Sequence, residues 1–127
     1  MSMCKSVNNK GYRRLKVWQI AHEFLMLVYR NSRNFPKHET CGLTSQLRRA
    51  SLSISTNIVE GQASTSKKGF LCFLNIANKS LVETEYLLEV AVELQYLSQK
   101  QYLEIDNVRS RLGIILHALI RSLKIQV

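Results

Sequence analysis

His22, His38 and His117 are the side chains best suited to metal or proton chemistry, and their spacing supports neither. A di-iron helix bundle needs Glu-x-x-His, which sets carboxylate and imidazole on one helix face. Three positions before these histidines stand Gln19, Phe35 and Ile114. His38-x-x-Cys41 has ligand spacing, but two ligands without a second pair cannot close a tetrahedral zinc site, so no metal is expected. Serines are plentiful yet have no evident base, and no G-x-S-x-G, Walker loop or dinucleotide fingerprint occurs. Gly61 and Gly69 flank a loop that could hold phosphate, although the first reads better as a helix cap. No catalytic residue and no cofactor are assigned, and an enzyme is not expected.

Cations are the other chemistry on offer. The chain has 18 Lys and Arg against 9 Asp and Glu, a formal charge of +9 and a pI near 9.8. Lys5, Lys10, Arg13, Arg14 and Lys16 open the sequence without an acid, whereas Glu83, Glu85, Glu89 and Glu93 outnumber the lysines of residues 62–97. Such an imbalance suits nucleic acid, an acidic protein surface, or solubility alone. Tyr12, Arg13, Arg14, Lys16 and Trp18 mix phosphate-neutralising cations with rings that can stack, although Trp18 fits a core position better. Arg48 and Arg49, and a stripe of Arg109, Arg121 and Lys124, complete the nucleic-acid-binding set. No base-reading motif accompanies them, so contacts would go to the RNA or DNA backbone and depend little on sequence.

The elements that must position these residues are helices. A chain of 127 residues with 46% hydrophobic and 21% charged residues builds one globular domain, and a single proline leaves long stretches unbroken. Residues 1–14 are polar and aperiodic and read as a basic arm; residues 15–127 form the domain. A first helix spans about 15–33, with Trp18, Ala21, Leu25 and Val28 on one stripe and Ile20, Phe24 and Leu27 beside it, closed by Phe35-Pro36. The second, about 43–60, buries Leu47, Ala50, Ile54 and Ile58 and ends at Gly61 as a left-handed cap. Ser66 caps a third helix reaching about Leu97, with a core stripe that includes Phe70, Phe73, Leu74, Ala77, Leu81, Leu88, Ala91 and Leu94. Ser98 and Gln101 form a capping box for the fourth, which carries Ile105, Val108, Leu112, Ile115 and Leu119. Short polar loops make an antiparallel up-down four-helix bundle, all-α, the default.

Two features exceed what a simple bundle needs. Gln46, Arg49, Ser53, Asn57 and Glu60 repeat along the second helix, and with Ser80 and Glu83 they suggest a structural polar seam of Asn57, Glu60, Ser80 and Glu83, or else a solvated face. Leu116, Ile120 and Leu123, together with Phe24 and Leu27, widen the apolar faces enough to suggest an oligomer interface. Cys4, Cys41 and Cys72 are odd in number and lack a C-x-x-C pair, and the N-terminus has no signal-peptide core. These read as reduced thiols of a cytoplasmic protein. The longest apolar run, Phe24–Tyr29, is too short to cross a membrane.

Leu15-Lys16-Val17-Trp18-Gln19-Ile20-Ala21-His22, then Phe35-Pro36, Gly42–Ala50, Ser53-Ile54 and Asn57-Ile58-Val59-Glu60-Gly61 resemble, in this order, the four-helix bundle family named for reading frames inside intervening sequences of bacterial 23S rRNA genes. The likeness runs on through Phe70, Phe73-Leu74, Ile76-Ala77, Ser80-Leu81 and Glu83, over roughly residues 12–120. It departs at Lys79-Ser80, where the family usually has Gly-Ser; the lysine either loosens a close helix contact or projects outward. The resemblance implies a bundle that assembles into a homopentameric barrel. The chain is also similar to the accessory variability determinant proteins of diversity-generating retroelements, which implies nucleic-acid binding and a reverse transcriptase as partner. The competing expectation is a scaffolding oligomer that binds an acidic protein. The resemblance does not say whether the host is a retroelement or an rRNA insertion.

Overall fold

Apolar residues at three- and four-residue intervals draw Lys16–Ser32 into helix α1, whose inner face buries Val17, Trp18, Ile20, Ala21, Phe24, Leu25, Leu27 and Val28. The computed structural model describes residues 11–127, so most of the arm expected at 1–14 lies outside the described residues. Its last four, Gly11–Arg14, form a 3-10 turn packed on α1. A turn at Arg33-Asn34, closed by Phe35 N–H donating to Ser32 O, and a short 3-10 segment, Lys37–Glu39, lead to α2, Leu43–Gln62. Helices α3, Lys67–Glu93, and α4, Gln99–Gln126, complete the chain. No strand occurs among the described residues. Each helix packs on its two neighbours, α1 on α2 and α4 and α3 on the same pair, as an up-down bundle requires.

The helix ends correct three expectations. Gly61 is no left-handed cap: it lies inside α2, is buried, and has no positive φ. A Cβ there would stand 2.8 Å from Phe70 Cδ1 and 3.0 Å from Phe73 Cβ, so glycine is needed for close approach of α3. Helix α3 ends at Glu93 rather than near Leu97, because Gln95 turns left-handed at φ 64°. Tyr96 N–H then donates to Ala91 O and Gln95 N–H to Val92 O, the two bonds of a Schellman motif. Leu94, expected in the core, is consequently exposed. Ser66 and Ser98 do cap α3 and α4, the latter with Gln101 in a reciprocal capping box.

The core of α4 follows Ile105, Val108, Leu112, Leu116, Ile120 and Leu123; Ile115 and Leu119 are only half-buried. A straight helix drifts about 20° per heptad against a 3.5-residue repeat, which carries the inward face from 115 and 119 to 116 and 120. Leu116, Ile120, Leu123, Phe24 and Leu27 are therefore core residues of one chain and supply no oligomer interface. The apolar surface left over is elsewhere, at Val82, Tyr86, Leu103 and Ile114 and at Ile125 and Val127 near the end of α4, each more than half exposed. No helix among the described residues is long and apolar enough to cross a membrane.

Candidate nucleic-acid interface

Antiparallel order brings the start of α1, the α2–α3 connection and the end of α4 to one end of the bundle. Contact across that end is direct, since a Cβ on Gly11 would lie 3.0 Å from Gln62 Nε2. Exposed Arg14, Lys16, Lys67, Lys68, Arg121 and Lys124 are gathered there, and Glu60 is the one acid in the chain segments that form it. None of the six cations takes part in an ion pair among the described residues. Lys67 and Lys68 stand outside the set that sequence reasoning nominated; the antiparallel topology, together with their place at the start of α3, was the signal that could have found them.

Arg13 behaves differently from the cations around it. Its guanidinium lies 4.8 Å from the Trp18 ring centroid and 5.8 Å from that of Tyr12, while its Nε is buried without a hydrogen-bond partner among the described residues. Gln19 Nε2 donates to the Arg13 carbonyl at 2.9 Å and fixes the turn. His22 stacks on Trp18, with centroids 4.9 Å apart and planes inclined by 17°. The indole is thus packed against both neighbours and 8% exposed, which makes it a core ring with no face offered to a base.

The remaining nominated cations lie away from this end. Arg48 Nε donates to Ser32 Oγ at 2.8 Å and its guanidinium covers the Tyr29 ring at 4.7 Å, close to the far end of α1. At 1.5 Å rise per residue this is about 20 Å from Lys16. Arg49 is exposed beside it. Arg109 is held between α3 and α4 by Glu85 at 2.8 Å and Asp106 at 2.6 Å, with a side chain 16% exposed. Burial works against its charge, but the Asp106 hydrogen bond and the two carboxylates outweigh that and raise its pKa further. Its charge is neutralised inside the protein by two carboxylates. The stripe drawn through Arg109, Arg121 and Lys124 therefore separates into one internal and two outward cations.

Along α2 and α3 the polar seam has Ser53 at its centre. Ser80 Oγ donates to Ser53 Oγ at 2.9 Å, and Asn57 Nδ2 donates to the Ser53 carbonyl at 2.8 Å and its hydroxyl at 3.1 Å. Gln46 Nε2 donates to Glu83 Oε2 a turn further along. Of the four residues expected in the seam, Asn57 and Ser80 meet through Ser53, Glu83 is bonded separately to Gln46, and Glu60 is exposed and makes no side-chain hydrogen bond among the described residues. Lys79 projects outward, which leaves Ser80 free for its contact. Among the described residues no group of three or more His, Cys, Asp or Glu could hold a metal ion.

A model of the family described as 23S rRNA-intervening sequence protein matches residues 13–118. A crystal structure of a protein of unknown function from the S23 ribosomal protein family, from Bacteroides thetaiotaomicron, is similar at 29% identity with a TM-score of 0.75. The match covers 83% of this chain and 95% of that one. No curated protein matches.

Proposed function

The chain belongs to the 23S rRNA-intervening sequence protein family, and from that premise we propose that it is a non-catalytic protein that binds nucleic acid through backbone phosphates. The observation that carries the reading is the bundle end where Arg14, Lys16, Lys67, Lys68, Arg121 and Lys124 are exposed and unpaired among the described residues. Three separate chain segments supply these cations, so the fold itself concentrates the charge. Lys and Arg placed in this way neutralise phosphates and release counterions without reading bases. The reading includes self-assembly into a closed ring of five, supported by the family resemblance and by exposed Val82, Tyr86 and Ile114, which repeats the cationic end around an axis. It extends, on the resemblance alone, to a reverse transcriptase of a diversity-generating retroelement as protein partner.

Substituting Arg14 and Arg121 together with Gln should weaken binding to every RNA sequence alike, by roughly tenfold for two lost phosphate contacts. Charge-matched Arg30→Gln with Arg33→Gln, at the other end, should leave affinity nearly unchanged. Equal loss from both pairs would remove the interface from this end.

A second reading has an observation of its own. Between α1 and α4 lies a groove of about 490 Å3 lined by Ile20, Ile114 and Ile115 together with Lys16 and Arg111, the latter paired with Glu23 at 3.1 Å. Apolar lining with cations beside it suits an acidic amphipathic helix of a protein partner. Binding to protein without any affinity for RNA would favour this scaffold reading.

A further inference from the structure

At the opposite end from the cationic cluster, α1, α2 and the connection between them line an open surface cavity of about 370 Å3. Its lining includes two guanidiniums, of Arg48 and Arg49, and three aliphatic hydroxyls, of Thr40, Thr44 and Ser45, with no carboxylate. The nearby Glu39 is committed elsewhere: its carboxylate accepts from Leu43 N–H at 3.1 Å and from the Tyr96 hydroxyl at 2.9 Å. The cavity is therefore electropositive and not neutralised from within.

Arg48 is set in place before any ligand arrives. Its Nε is bonded to Ser32, its Nη2 donates to the Tyr29 carbonyl at 3.4 Å, and its plane rests on the Tyr29 ring. The remaining guanidinium N–H groups have no partner among the described residues, and the ordering cost of a long side chain has already been met. Thr44 lines the cavity from the first turn of α2, with only 8% of the residue exposed. α2 begins at this cavity, so the positive end of its dipole adds to the two guanidiniums. Tyr29 and Leu52 supply the apolar part of the wall.

We propose that this cavity binds a nucleoside phosphomonoester, its phosphate held by Arg48, Arg49 and Thr44 and its base lying against Tyr29 and Leu52. Two guanidiniums match a group that carries close to two negative charges at neutral pH, whereas a phosphodiester carries one. The volume is at the small end of ligand sites and admits one nucleotide. A free nucleotide and the phosphorylated end of a strand share this chemistry. The site is about 20 Å from the cationic end and stands or falls independently of it.

Isothermal titration of the full chain with AMP, adenosine and inorganic phosphate tests the proposal. AMP should bind saturably, phosphate more weakly, and adenosine not measurably. Arg49 is exposed and makes no internal contact that folding would miss, so Arg49→Gln should weaken AMP roughly tenfold or more. Thr44→Val should weaken it severalfold, while Arg121→Gln with Lys124→Gln should leave it unchanged. A 5′-phosphorylated oligoribonucleotide that binds tighter than AMP, with the gain lost when the phosphate is removed, identifies a strand end as the source; equal or weaker binding identifies the free nucleotide. No AMP binding at millimolar concentration, equal binding of adenosine, or indifference to Arg49→Gln would overturn the proposal.

Discussion

Gly61 has ordinary helical geometry, so its role is space and not backbone freedom. Gly61→Ala would set a methyl group against Phe73 Cβ, an atom fixed to its own helix, and α2 and α3 would have to separate. Overpacking outweighs the 0.5–1 kcal/mol that alanine gains in a helix, and the expected net loss is about 1–2 kcal/mol in urea unfolding. Asn57→Leu should cost about 1 kcal/mol, because Ser53 loses a donor at the centre of the seam; unchanged melting with lost RNA binding would make Asn57 functional instead. At this scale small residues at Ala50 and Ser53 pointed to a close helix neighbour, and Ser80 does bond Ser53 across the pair, whereas Asn57, expected to reach α3, bonds Ser53 of its own helix. What composition could not show is which cations are already committed. Arg109 and Arg121 look alike in a list of charges, yet one faces Glu85 and Asp106 across a helix pair and the other faces water. That distinction depends on partners far apart in sequence.

Helix existence and core stripes could be read from periodicity, and both serine caps from local pattern, because each rests on contacts within a few residues. Helix ends were less legible where tertiary packing decides. Gln95 takes a left-handed conformation for which nothing in its residue type argues, and it closes the Schellman motif all the same. A left-handed non-glycine residue costs about 1–2 kcal/mol, so Gln95→Gly should stabilise the protein by about 0.5–1 kcal/mol after the glycine's larger unfolded-state entropy is subtracted, seen as a raised melting temperature. The same end of the bundle carries a pH-dependent tie. The Leu43 N–H first and the Tyr96 hydroxyl second hold the Glu39 carboxyl below its usual value of 4.5, and Glu39 in turn raises the pKa of Tyr96 above 10.0. A depressed carboxyl stabilises the fold above its unfolded value and loses that contribution as pH falls through the folded one; the raised phenol contributes below pH 10.0 and loses it at higher pH. Tyr96→Phe should therefore flatten the urea midpoint's dependence on pH below 4.5 and above 10.0 and leave its shape near neutrality unaltered.

For the molecule as a whole, the antiparallel topology turns a scattered basic sequence into two distinct regions. Lys16 and Arg121 are over a hundred positions apart and share one end, whereas Arg48, nominated beside them from sequence, lies about 20 Å away against Tyr29. Self-assembly belongs to this scale too: light scattering at micromolar concentration should give about five times 14.6 kDa, and Val82→Glu with Tyr86→Glu should lower it if that face is the contact. The central claim is that phosphates are neutralised at the cationic end. Its most direct test is the anisotropy of a labelled single-stranded RNA titrated with the protein over a range of salt concentrations. Affinity should fall linearly on log-log axes, by about 0.7 in slope for each phosphate contacted, and Arg121→Gln with Lys124→Gln should make the slope shallower by the contacts removed, in every sequence tried. An absence of binding at low salt, or a slope that these substitutions leave unchanged, would contradict it.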